Sequence, residues 1–319
     1  PRAGFMLGKY FLLVGDSSSG KSFLSMSCFA EAVKNPAFKN YRFVYDNVED
    51  GMLMDVERLF GRGVAERLLP PSGTPDDPGF SETIEDFAYN LDDLAKKGKP
   101  FIYVLDSMDG LESHDEQKKF EEQKKAHRAG KDAAGSYGDG KAKKNSSLLR
   151  KAIKGLRKTG SILIIICQTR DNLTGYGPSK IRSGGRALRF YATPEIWTSV
   201  AGQIKKNIRG KERKIGIQVG IQTQKNRITG KLAEVEIAIY PSYGIDDIGS
   251  CIDFLCSEGW WKKIKGTGNI SAGKLGTMSR EKLLRTFEGS GFKMLRKEVT
   301  ACWRVIEEES ALRRNPRYA

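Results

Sequence analysis

The chain has 319 residues, with 54 Lys and Arg against 39 Asp and Glu and a formal net charge of +15. That length can bury one large α/β core and a small second one, and that charge calls for a polyanionic partner, either nucleic acid or an anionic membrane surface. No apolar run reaches the length of a membrane span and no signal peptide is visible, while the five cysteines (Cys28, Cys167, Cys251, Cys256, Cys302) form no C-x-x-C pair and read as reduced core residues of a cytoplasmic protein.

Tyr10-Phe11-Leu12-Leu13-Val14 reads as a buried parallel strand. It leads into Gly15, Asp16, Ser17, Ser18, Ser19, Gly20, Lys21 and Ser22, the phosphate-binding pattern G-x-x-x-x-G-K-[ST]. The glycines let the backbone curl so that successive N–H groups point into one anion-sized hole. Lys21 supplies an ammonium for the β- and γ-phosphates of ATP, and Ser22 a hydroxyl for Mg²⁺. A helix over 21–34, with Leu24, Cys28 and Ala32 on one stripe, adds its N-terminal dipole. The first residue is Pro1, so an N-terminal segment is expected to have been removed or to lie outside this sequence.

Arg42 to Asp46 is a second apolar strand, followed by Asn47-Val48-Glu49-Asp50-Gly51. Ligands of open parallel sheets bind beyond the carboxyl ends of the strands. Glu49 or Asp46 is therefore a candidate general base that orients a water against the γ-phosphate; the alternative is a capping carboxylate for a helix over 51–60. Residues 62–80, rich in Pro and Gly, read as a surface connection, and 81–97 as a helix with Ile84, Phe87, Leu91 and Leu94 inward. Phe101-Ile102-Tyr103-Val104-Leu105-Asp106 is a third strand with the Walker B form, in which Asp106 helps hold Mg²⁺. The stretch 115–128 reads as a solvated helix of mixed charge. Lys131 to Lys144 reads as a mobile, glycine-containing loop that meets phosphates.

Ser146 to Lys158 is an amphipathic helix, with Leu148, Leu149, Ala152, Ile153 and Leu156 inward. Ser161 to Gln168 is the most apolar strand. Its terminal amide either senses the γ-phosphate and passes its presence onward or hydrogen-bonds a neighbouring loop. The loop that follows, 169–185, carries Arg170, Tyr176, Lys180 and Arg182 with paired glycines, a mixture suited to a single strand of nucleic acid or to an ordinary exposed loop.

Gly184-Gly185-Arg186-Ala187-Leu188-Arg189-Phe190-Tyr191-Ala192-Thr193, after a strand ending in Gln168, resembles the second DNA-binding loop and following helix of RecA recombinases. Asp106-Ser107 resembles that family's Walker B end, and Lys225-Asn226-Arg227 its Lys-x-Arg run, in a hairpin of strands near 214–224 and 232–240. Ala238 to Ile245 resembles the close of the family's core, and Ile252-Asp253 with Gly259-Trp260-Trp261 continues the likeness into the tail. The resemblance implies an α/β fold: a RecA-like P-loop core over 1–243, with a mostly parallel central sheet flanked by helices and DNA-binding loops near 129–145 and 169–185, and a small C-terminal α+β domain over 244–319. It implies an ATP-dependent, DNA-stimulated ATPase that forms helical filaments of its own copies on single-stranded DNA, pairs it with homologous duplex DNA and exchanges strands in recombination and repair, with no membrane partner. A ring-forming helicase or motor, and a nucleotide-gated DNA-binding protein that does not hydrolyse, remain as alternatives.

By the same resemblance, Glu49 polarises the attacking water and Gln168 reports the γ-phosphate. Arg170, Tyr176, Lys180, Arg182, Gly184, Gly185 and Arg186 meet DNA, and Lys225 and Arg227 reach the ATP of the next subunit. The chain also departs from the family. Asp46-Asn47-Val48-Glu49 is one residue longer than the family's D-x-E, the loop before 146 is longer and more basic, and the N-terminal docking helix is missing from this sequence. Such divergence suits a bacteriophage recombinase. In the tail, Phe292, Leu295, Val299, Trp303 and Ile306 at helical spacing read as core.

Overall fold

The computed structural model describes residues 5–129, 140–172, 179–183, 185–315 and 317. By their contacts these divide into two compact units, 1–200 with 220–234, and 201–219 with 235–319.

The first unit is built on strands whose alternate residues face two helical layers. Its strands are β1 (Lys9–Gly15), β2 (Arg42–Asn47), β3 (Leu68–Leu69), a short ladder of β4 (Ser72–Gly73) with β5 (Pro78–Gly79), β6 (Phe101–Asp106), β7 (Ile162–Asp171), β8 (Lys180–Arg182) and the first part of β9 (Pro194–Ile208). The order across the sheet is β9-β1-β7-β6-β2-β3, and β8 pairs with β7. The pairs β1–β7, β1–β9, β6–β7, β2–β6 and β2–β3 are parallel, while β8 runs antiparallel to β7. Parallel strands need covered faces, and β1 has both. Tyr10, Leu12 and Val14 pack with Phe87, Leu91, Leu94, Leu149 and Leu156 from α4 (Ile84–Lys96) and α6 (Gly140–Thr159). Phe11 and Leu13 pack on the opposite face with Met26 and Phe29 of α1 (Lys21–Lys34).

Register places the chemistry. Gly15 stands opposite Gln168 on one side and Thr198 on the other, and Asn47 stands opposite Asp106. The carboxyl ends of β1, β2 and β6 thus share one sheet edge with Gln168 of β7 and Thr198 of β9, where open α/β sheets bind ligands.

Several sequence expectations are corrected here. The deepest stripe of α1 is Met26, Phe29 and Ala32, with Leu24 and Cys28 only partly buried, because the larger side chains fill the groove over β1 and β2. The helix expected at 51–60 is α2 (Val56–Phe60), capped by Asp55, so neither Asp46 nor Glu49 is its cap. The connection 62–80 contains α3 (Arg62–Ala65) and the edge strand β3, which extends the sheet beyond β2. The loop expected to run to 144 gives way to helix at Gly140, and residues 130–139 lie outside those described. The mixed-charge segment is helix α5 (His114–Arg128), closed by a Ser113–Glu116 capping box and burying none of its residues.

In the second unit, β12 (Gly244–Asp246), β11 (Glu234–Tyr240) and the unit's parts of β10 (Lys211–Asn226) and β9 follow one another in the order β12-β11-β10-β9. Downstream, α8 (Asp247–Ser257), the antiparallel sheet β13 (Lys262–Lys263), β14 (Asn269–Ser271) and β15 (Thr277–Ser279), α9 (Arg280–Thr286) and α10 (Phe292–Glu309) enclose a core of Ile252, Leu255, Trp261, Phe287, Leu295 and Cys302. Phe292, Val299 and Ile306 pack on that core and Trp303 lies 5.6 Å from Phe254, so the expected stripe is structural. Among the described residues, no helix is long and apolar enough to cross a membrane.

Candidate active site and nucleotide-binding edge

Between β1 and α1 the backbone turns through Ser18 (φ 59°) and Gly20 (φ 84°), both left-handed. A Cβ on Gly15 would overlap the side-chain oxygens of Ser19 and Thr198, so close approach requires glycine there. Ser19 is buried and bonds the Asp16 carbonyl at 2.7 Å and Thr198 Oγ1 at 2.7 Å, which holds the loop against β9. Ser17 and Ser18 are exposed at the tip. Lys21 lies across the loop, its Nζ donating to the carbonyls of Gly15 (2.9 Å) and Asp16 (2.6 Å). Burial lowers the Lys21 pKa, while the carboxylates of Asp106, Glu49, Asp16 and Asp109 act to raise it.

Ser22 Oγ donates to Asp106 Oδ2 at 2.6 Å, and the Tyr45 hydroxyl donates to the same oxygen at 2.5 Å. A hydroxyl and a carboxylate so placed are hard oxygen donors that fit a magnesium ion bound mainly through water and phosphate oxygens. The following peptide bond, Asp106–Ser107, is cis.

The two candidate bases separate cleanly. Asp46 is fully buried at 0% exposure and accepts from the Ser81 N–H (2.9 Å), the Ser81 hydroxyl (2.6 Å) and the Tyr103 hydroxyl (2.5 Å). Burial holds its carboxyl above the ordinary carboxylate range. Those partners tie β2, β6 and the start of α4 together and leave Asp46 a fold residue. Glu49 is exposed at the sheet edge, where its Oε1 accepts from Ser107 Oγ and from Gln168 Nε2 (3.1 Å). Gln168 therefore joins the candidate base to β7, and its own N–H donates to Asp109 Oδ2 at 2.7 Å. Asp109 escaped the sequence reading, and Ser107 entered it only through the Walker B resemblance, although both lie within three residues of the end of β6.

Past Gln168, the residues expected to meet nucleic acid part ways. Arg170 is exposed, its guanidinium 3.9 Å from Asp109. Lys180 reaches the Asp16 carboxylate. Arg182 does not face solvent: its side chain is 9% exposed, pairs with Glu195 Oε1 at 3.5 Å and donates to the carbonyls of Ser183 and Gly185 at 2.8 Å each. A phosphate contact expected of Arg182 is thus corrected, because Glu195, itself 2% exposed, needs its charge. Arg189 supplies a second cation to Glu195 at 2.9 Å. Gly185 opens α7 (Gly185–Tyr191) with φ 78°. Tyr176, Gly184 and the side chain of Arg186 lie outside the described residues.

Lys225 donates to the carbonyls of Arg189 and Phe190 at the C-terminal end of α7, the latter at 3.1 Å. Burial, with Arg227 adding repulsion, pushes its ammonium down to about 8. The Arg227 guanidinium lies 5.3 Å from the Phe190 ring centroid. These partners belong to α7, so the structure does not bring Lys225 and Arg227 into hydrogen bonds with their own P-loop.

Known proteins point to one family. The RecA N-terminal domain family matches residues 93–246. The protein RecA of Cytophaga hutchinsonii is 28% identical over 280 residues, covering 83% of this chain and 68% of that protein. The protein RecA of Chlorobaculum parvum is 26% identical over 297 residues, covering 88% of this chain and 73% of its own length. The chain is similar to RecA proteins over most of its length.

A solved RadB recombinase structure aligns with a TM-score of 0.48 at 16% identity, covering 76% of this chain and 92% of that one, a likeness too loose to carry weight. In Asp46-Asn47-Val48-Glu49, one residue longer than the D-x-E of the resembled proteins, Glu49 stands at the edge beside Gln168 and Asp46 is buried away from it. The similarity to RecA proteins supports a role in recombination.

Proposed function

We propose that this chain is a DNA-stimulated ATPase that polymerises on single-stranded DNA in the bacterial cytosol and drives pairing with homologous duplex DNA. The observation behind this reading is the single sheet edge that gathers Lys21, Ser22, Asp106, Glu49 and Gln168. When bound, Mg²⁺ would neutralise charge on the β- and γ-phosphates of ATP. Loop N–H groups from Gly15 to Ser22 cradle those phosphates, and Lys21 meets the charge that develops on the transferred group. Ser22 and Asp106 would hold the metal. Glu49 takes a proton from the attacking water and orients it. Gln168, hydrogen-bonded to Glu49 and opening the loop with Arg170, relates the state of that edge to the DNA surface. Arg170, Lys180, Gly184, Gly185, Arg186 and Tyr176 are the residues assigned to that surface. Electron microscopy on single-stranded DNA with Mg²⁺ and a slowly hydrolysed ATP analogue should show continuous helical filaments. Closed rings would favour the motor reading, and DNA coating by a protein that turns over no ATP would favour a nucleotide-gated binder.

A further inference from the structure

We infer that Asp16 is a positioning residue that fastens the β7–β8 hairpin to the P-loop, giving nucleotide and DNA a second line of coupling beside Gln168. The inference rests on the P-loop as the nucleotide site and on the loop after Gln168 as a DNA surface.

Asp16 stands in both structures at once. Its backbone carbonyl belongs to the phosphate loop and accepts from Lys21 Nζ at 2.6 Å and from Ser19 Oγ at 2.7 Å. Its carboxylate belongs to the hairpin: one oxygen accepts from Thr169 Oγ1 on β7 and the other from Lys180 Nζ on β8. The hairpin it holds is small. Among the described residues its ladder pairs Thr169–Arg182, Arg170–Ile181 and Asp171–Lys180, with one further backbone bond at each end, from Asn172 N–H to the Ser179 carbonyl and from Ser183 N–H to the Gln168 carbonyl. A two-stranded ladder of that length is marginal by itself. At its other end the buried Arg182–Glu195 pair anchors it. Asp16 therefore decides whether the Lys180 end is docked.

Stability does not explain the pair. The Lys180 and Asp16 side chains are 45% and 40% exposed, and such pairs contribute about 0–1 kcal/mol. Its consequence is positional. Lys180 and Thr169 hold the Asp16 carboxyl below the ordinary carboxylate range, so it is ionised and needs a cation. Phosphates arriving in the loop add negative charge beside that carboxylate and raise the pull on Lys180. Nucleotide thus favours the docked hairpin, the docked hairpin presents Arg170, and by reciprocity DNA on that surface favours nucleotide.

The test is the ratio of single-stranded DNA dissociation constants without and with a slowly hydrolysed ATP analogue, read by fluorescence anisotropy on a labelled oligonucleotide. Asp16→Asn and Lys180→Gln should each cut the ratio by about fivefold or more. The double variant should lose no more than Asp16→Asn alone, because Lys180→Gln breaks a contact that Asp16→Asn has already removed. Thr169→Val, which keeps the shape and leaves the loop sequence intact, should move the ratio the same way, and Lys180→Arg should restore most of it. An unchanged ratio overturns the coupling. So does a Lys180→Gln loss that is equal with and without nucleotide, which would make Lys180 a plain phosphate contact. A parent protein that binds no single-stranded DNA under either condition overturns the functional reading itself.

Discussion

Glu49→Gln should lower DNA-stimulated ATP turnover by about 10²–10⁴-fold, the usual loss when a positioned general base is removed. Nucleotide binding should survive, since the phosphate loop, Lys21 and the Ser22–Asp106 pair are untouched. The amide keeps the shape of Glu49 but cannot take the proton from water. Asp46→Asn should do the reverse. Asp46 accepts from the Ser81 N–H, the Ser81 hydroxyl and the Tyr103 hydroxyl in a fully buried position. An amide group there turns one acceptor into a donor facing donors, at a cost of about 1–3 kcal/mol of stability. The pH dependence also differs. Burial raises the folded pKa of Asp46, so the folded state holds this proton more tightly than the unfolded chain. The stability it contributes is greatest below the ordinary carboxylate pKa and is lost as pH rises through the raised folded value. Asp46→Asn should remove that slope, and Glu49→Gln should leave it. Steady-state turnover and thermal melts at several pH values decide the matter. Abolished turnover in Asp46→Asn with an unchanged melt, beside an active Glu49→Gln, would exchange the two roles.

Mixing two dead subunits should restore ATPase. Lys21→Ala removes the ammonium that meets developing phosphate charge, a loss of about 3–4 kcal/mol in the transition state. Lys225→Ala/Arg227→Ala removes the hairpin cations, which in this subunit contact the carbonyls and ring of α7 and not the P-loop. A cation supplied by a neighbour stabilises the γ-phosphate only where two subunits meet, as an arginine finger does, and is worth about 10³–10⁵ in turnover. Each variant alone should therefore be inactive. In a mixture, some interfaces join an intact P-loop to an intact cation pair, and part of the DNA-stimulated ATPase should return. A mixture that co-assembles on DNA and stays as inactive as its components would show that Lys225 and Arg227 do not act across subunits.

Much of the site could be read from the chain because its parts sit at strand ends. The P-loop, Asp106 and Gln168 each terminate an apolar run, and parallel pairing brings such ends to one edge. Partners were hidden where charge depends on burial. Arg182 looked like any loop cation, and only the fold shows Glu195, on another strand, holding it inside. Asp16 looked like a spacer in the loop pattern, because nothing in its neighbours announces Thr169 and Lys180. The choice between Asp46 and Glu49 needed the third dimension as well: Asp46 lies near the end of β2 and Glu49 just past it, but Ser81 and Tyr103 claim only the first. Leu68-Leu69 was missed as a strand because a two-residue edge carries no periodicity.

The most direct measurement is joint-molecule formation between a single-stranded DNA and duplexes of matching and unrelated sequence, with Mg²⁺ and ATP. Pairing and strand transfer should occur with the homologous duplex alone, should require ATP, and should need no forked end. Unwinding of a forked duplex without any joint molecule from homologous partners would contradict the recombinase reading.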